Sequence, residues 1–76
     1  ILERLNLHRT RHADVERSVI RFVERNWGKN IPVDIVTGNS KQMKELVCRI
    51  LDEYGLEYKE GDVLGVNMGF IHVENI

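Results

Sequence analysis

Leu5 and Leu7 alternate with Arg4, Asn6 and His8, the two-residue period of a half-buried strand that ends near His8. Arg9, Thr10 and Arg11 turn the chain, and the period then lengthens. From about His12 to Trp27 the apolar positions Val15, Val19, Phe22, Val23 and Trp27 recur at three- and four-residue spacing and paint one side of a helix. Gly28 suits the left-handed residue that closes it. Pro32 is tolerated only at the start or edge of a strand, so the run Val33, Ile35, Val36 begins just after it and ends at Thr37. Gly38 turns the chain again. Asn39 is placed to cap a second helix, with Gln42 reaching back to its N–H in a polar variant of the capping box. Met43, Leu46, Val47, Ile50, Leu51 and Tyr54 form the apolar stripe of that helix, and Gly55 ends it. Glu45 with Arg49, and Arg49 with Glu53, stand at i, i+4 on its solvated face.

Leu56 and Tyr58 alternate with Glu57 and Lys59 as a third strand, and Gly61, Gly65 and Gly69 punctuate the stretch after it. Phe70 to Glu74 makes the last strand, with Ile71 and Val73 on one face and Phe70, His72 and Glu74 on the other. The element order is βαβαββ. Helix-length crossovers make the first three strands parallel, whereas the fourth comes soon enough after the third to return antiparallel. Right-handed crossovers put both helices on one side. The expected fold class is therefore α/β: a two-layer sandwich with a four-stranded, mostly parallel mixed sheet, two helices on one face and the other face open.

In such a sheet the carboxyl ends of neighbouring parallel strands face one crevice, where ligands bind. His8 and Gly38 end the first two strands and should lie together. One brings a titratable imidazole, and the other a helix-start turn whose free backbone N–H groups can hold an anion, with Lys41 or Lys44 adding charge.

A chain of 76 residues makes one domain, residues 1–76, and buries only roughly 60% of its unfolded surface. With 42% apolar and 30% charged residues it is neither disordered nor membrane-spanning, and it carries no secretory or transit pattern. Its first residue is Ile1 rather than Met, as in a piece excised from a longer protein. Cys48 stands alone, which excludes an intramolecular disulfide and fits a reducing, cytoplasmic setting. The net charge is −1, but residues 1–29 carry seven Lys/Arg against four Asp/Glu, and residues 30–76 carry four against eight. The basic half can attract a polyanion. Arg17, Arg21 and Arg25 form a ridge that reads as a solvated face, which leaves Arg9 and Arg11, beside His8, as the contact candidates. Trp27 and Tyr54, at helix ends on apolar stripes, read as core or rim packing. His8, His12 and His72 do not make a metal site: His8 ends a strand, His12 starts a helix, and no cysteine or carboxylate joins them.

The element order, the Leu5-Asn6-Leu7-His8 end of the first strand, the Thr37-Gly38-Asn39-Ser40 turn and an Asn67-x-Gly69 turn before the last strand together resemble the small MutS-related (Smr) domain family over nearly the whole chain. The resemblance implies a fold similar to the C-terminal domain of bacterial translation initiation factor three. It also implies nucleic-acid binding, with endonuclease activity, a phosphodiester hydrolase chemistry, in several members. The family's first motif reads Leu-Asp-x-His-Gly, so Asn6 stands in place of its carboxylate and Arg9 in place of its glycine. Its second motif reads Gly-x-Gly, and Ser40 replaces the second glycine.

The sequence reading is thus an Smr-like domain that binds RNA or branched DNA, with cleavage weak or lost. His8 is its proton-transfer group and Asn6 a hydrogen-bonding partner. Arg9, Arg11, Thr37, Gly38, Asn39, Ser40 and Lys41 are expected to contact nucleic acid. No cofactor, metal or membrane partner is implied. The alternative is a non-catalytic module that keeps the Smr fold and docks on a protein, a larger parent protein or a ribonucleoprotein.

Overall fold

The structure, a computed structural model, describes residues 3–61 and 69–76. The elements run β1 (Glu3–Asn6), α1 (His12–Asn26), β2 (Val33–Val36), α2 (Lys41–Glu53), β3 (Tyr58–Glu60) and β4 (Phe70–Val73). The expected glycine turn at Gly65 and the Asn67 side of the Asn67-x-Gly69 turn lie outside the described residues.

The four strands form one mixed sheet in the order β1-β2-β4-β3. β1 pairs in parallel with β2, in the register Arg4 with Asp34 and Leu5 with Ile35. β4 lies antiparallel between β2 and β3. The first three strands therefore share one direction, as the crossovers require. Only one of the three pairings is parallel, however, because β4 inserts between β2 and β3 rather than adding at an edge.

Period-two alternation gives the sheet two unlike faces. Ile35, Val33, Ile71 and Val73 point to one face and are fully buried. Over them lie Val15, Val19, Phe22 and Val23 of α1 and Met43, Val47, Ile50 and Leu51 of α2, all in one core cluster. Each such side chain contributes about 1.5–3 kcal/mol by leaving water. The opposite face carries Arg4, Asn6, Asp34, Val36, Phe70 and His72 and is covered by no helix among the described residues.

Local chemistry departs from the expected caps. Helix α2 is capped by Ser40, not Asn39: the Met43 N–H donates to Ser40 Oγ at 3.2 Å. A serine at this position reaches the third helical N–H with its short hydroxyl, and the exposed Asn39 stays in the turn. Helix α1 ends one residue earlier than the stripe suggested, and Trp27 is 54% exposed, packed at the rim against Tyr54 with ring centroids 5.5 Å apart. Its inward place is taken by Asn26, which is fully buried and donates from Nδ2 to the Phe22 carbonyl at 2.9 Å. On the solvated side, Arg49 meets Glu16 of α1 at 3.4 Å and so ties the two helices together.

Candidate nucleic-acid interface

The carboxyl end of β1 passes into a tight turn in which the Thr10 N–H donates to the Leu7 carbonyl at 3.0 Å. Leu7 is fully buried and stays tied to β2 through its N–H to the Val36 carbonyl, 2.8 Å. His8 and Arg9 are thereby left exposed at the tip of the turn. Asn6 fixes its shape: the carboxamide Oδ1 accepts the His8 backbone N–H at 2.9 Å, an Asx-type bond two residues on.

The β2 end meets this turn as the crevice rule requires. Gly38 has φ +69°, and a Cβ built on it would stand 3.4 Å from His8 Nδ1. The two residues singled out from the sequence lie side by side.

The expectation of free N–H groups in the Thr37–Gly38 turn is corrected. Both the Thr37 and Gly38 N–H groups donate to the Gly69 carbonyl, at 3.0 and 2.9 Å. The reason is topological, since β4 pairs with β2 and brings Gly69 against the end of that strand. Thr37 is 3% exposed and its hydroxyl donates to the Gly38 carbonyl at 2.9 Å, so it shapes the turn from within. Lys41 and Gln42, the first two residues of α2, keep N–H groups that no helical carbonyl can reach.

The charged candidates divide in the same way. Arg9, Arg11 and Lys41 are exposed. Lys44 is committed elsewhere, to Glu60 of β3 at 2.6 Å, with only 15% of its side chain exposed. In the α1 ridge, Arg17 pairs with Asp14 at 3.1 Å, and the Arg25 guanidinium stands 5.6 Å from the centre of the Phe22 ring.

Two hollows flank the His8–Gly38 contact. The smaller, about 350 Å³, lies over Asn6, His8, Arg9 and Thr10. The larger, about 410 Å³, opens on the uncovered sheet face between Arg4, Asp34, Val36, Gly38 and Phe70. Beside it the register places Asp34 opposite His72, and His72 Nδ1 stands 2.5 Å from Asp34 Oδ1, a contact that requires a proton between them. The Arg4 guanidinium lies 3.7 Å from Asp34 Oδ2.

Sequence reasoning missed this pair, because its members are 38 positions apart and meet only when β4 enters the sheet beside β2. Its signal was present all the same: Asp34 and His72 are the polar residues that interrupt two otherwise apolar strands.

Titratable groups are perturbed between α2 and β3. Desolvation pushes the Tyr58 phenol well above its ordinary range, and its hydrogen bond to Asp52, 3.0 Å, adds to the effect. Burial raises the Cys48 thiol as well, with the Tyr58 hydrogen bond opposing it. Among the described residues no three of His, Cys, Asp and Glu are grouped to hold a metal ion, and no helix is long and apolar enough to cross a membrane.

Comparison with protein-family models, curated proteins and solved structures brings no match.

Proposed function

We propose that this chain is an Smr-like domain, with the fold type of the C-terminal domain of initiation factor three, and that it binds nucleic acid at the carboxyl ends of β1 and β2. The single observation that carries the reading is the His8–Gly38 contact. It sets an exposed imidazole beside the start of α2, with Arg9 and Arg11 on the adjoining turn and Lys41 on the first helical turn. Phosphate oxygens would meet the Lys41 and Gln42 N–H groups and the three cations.

Cleavage, where it occurs, uses His8 to move a proton during phosphodiester hydrolysis or transesterification. Asn6 carries no charge to stabilise a protonated imidazole, so turnover in the native chain is feeble or absent. The same residue supports a second reading. Asn6 already spends its acceptor on the turn that holds His8, as a non-catalytic docking module would need.

Fluorescence anisotropy with single-stranded RNA, duplex DNA and branched DNA, each over a salt series, tests the reading. Binding should weaken with salt, and Arg9→Ala with Arg11→Ala should flatten the log–log slope by roughly 0.7–0.9 for each phosphate no longer neutralised. Unchanged affinity and slope in the double variant would reduce the cluster to a solvated surface. Tight binding of a protein partner with none of nucleic acid would favour the docking module.

A further inference from the structure

The larger hollow on the open sheet face is lined by a carboxylate with an oxygen that accepts no hydrogen bond among the described residues. Asp34 is 7% exposed, and its Oδ1 is taken by His72 Nδ1. Its Oδ2 has no hydrogen-bond donor among the described residues, since Arg4 at 3.7 Å makes an ion pair too long for a hydrogen bond. Asp34 itself lines the hollow. A carboxylate in such a place is an acceptor waiting for a donor. Around it the hollow offers flat and apolar surface. Phe70 and Val36 are half-buried on its floor, and Arg4, with 61% of its side chain exposed, stands at its side.

We infer that this hollow is a nucleobase subsite selective for guanine, reading the base through the Asp34 carboxylate. The inference rests on the nucleic-acid reading and names its preferred base. A guanine presents two adjacent donors, N1–H and the N2 amino group, which the carboxylate can receive together, one on Oδ2 and the other on the lone pair of Oδ1 that His72 leaves over. Adenine and cytosine each set a ring-nitrogen acceptor beside their single amino group, and uracil flanks one N–H with two carbonyls. All three would turn lone pairs toward Asp34. Phe70 supplies a ring for stacking, and the planar Arg4 guanidinium stacks on a base as readily. The volume, about 410 Å³, lies in the range of roughly 300–1,000 Å³ that small-molecule sites occupy. Gly38 borders the hollow and touches His8, so a nucleotide with its base here carries its phosphate toward His8 and Arg9. His72 holds Asp34 in place from the far side and is a positioning residue.

The test uses the isotope-labelled chain titrated with guanosine 5′-monophosphate and adenosine 5′-monophosphate, monitored by amide NMR shifts. The guanine nucleotide should move the Asp34, Val36 and Phe70 amides and bind about tenfold more tightly than the adenine nucleotide. Asp34→Asn keeps an acceptor for His72 and so keeps the fold, yet it replaces one oxygen by a donor and should bring the two affinities within about twofold. Phe70→Leu should weaken both nucleotides without changing their ratio. Equal affinities in the native chain, or a guanine preference that survives Asp34→Asn, would overturn the subsite. A short uridine-rich RNA with one guanine or one adenine separates the two readings. Salt-sensitive binding through Arg9 and Arg11 with no guanine preference would overturn the subsite and leave the proposed function intact. Guanine nucleotide held at Asp34 with no RNA bound would support the subsite and remove that function.

Discussion

Gly38 lies beside the His8 imidazole, with space between them for a Cβ that would stand 3.4 Å from Nδ1. Gly38→Ala should therefore have two effects. A side chain at φ +69° costs about 1–2 kcal/mol of stability, read from urea unfolding, and the new methyl fills the space against the His8 ring at van der Waals distance, which should weaken nucleic-acid binding. Gly55→Ala is the control, for it has a similar φ of +71° and open space around it. It should cost a similar amount and leave nucleic-acid affinity unchanged. An equal drop in affinity in both variants would mean that the His8 contact has no part in binding.

Asn6→Asp keeps the acceptor that receives the His8 backbone N–H and adds a negative charge to the turn that carries the imidazole. Cleavage of labelled RNA or supercoiled plasmid should rise from the native level, and binding should weaken through repulsion of phosphate. Adding His8→Ala should abolish the gain. Cleavage that persists after His8→Ala would place the chemistry elsewhere.

Two lysines of α2, three positions apart, should behave as opposites. Lys41 is exposed, and Lys41→Ala should weaken binding and flatten the salt slope by about 0.7 for a single strand, with little effect on stability. Lys44 is mostly covered and paired with Glu60. Lys44→Ala should lower stability by roughly 1 kcal/mol and leave the salt slope as it was. Reversal of the two outcomes would show that the Glu60 pair opens for ligand.

Alkaline pH should destabilise the domain. The folded chain keeps the Cys48 and Tyr58 protons above their ordinary values of 9.0 and 10.0, so in that range the unfolded chain holds fewer protons than the folded one. Stability is full below about pH 9 and falls as the pH rises past those ordinary values. Urea midpoints measured from neutral pH to about pH 11 should drop in the native chain and drop less steeply in Tyr58→Phe. Parallel curves for the two chains would remove Tyr58 from the effect.

Much of the fold was legible because amphipathic periods are local. Val15, Val19, Phe22 and Val23 on α1, Leu5 and Leu7 at β1, and Ile71 and Val73 on β4 all face the core that their spacing indicated. Asn26 was not legible, since its Nδ2 donates to a carbonyl one turn back while its buried Oδ1 has no hydrogen-bond partner among the described residues, an arrangement that composition does not reveal. The insertion of β4 beside β2 was equally hidden. Strand order depends on partners distant in sequence, and that insertion alone consumes the Thr37 and Gly38 N–H groups and joins Asp34 to His72. The contact between His8 and Gly38 was readable for the opposite reason, because two adjacent parallel strands fix where their ends lie.

The central place of β4 also governs the order in which the protein can be made. A ribosome delivers β1, α1, β2, α2 and β3 before it delivers the strand that joins β3 to the rest. Until Val73 has emerged from the exit tunnel, β2 keeps an unpaired edge, and Val33 and Ile35 lack their β4 neighbours. Nascent chains released short of Phe70 should thus be sticky and protease-sensitive, whereas in the finished sheet the outer strands among the described residues are short and charged, at Glu3–Arg4 and Lys59–Glu60.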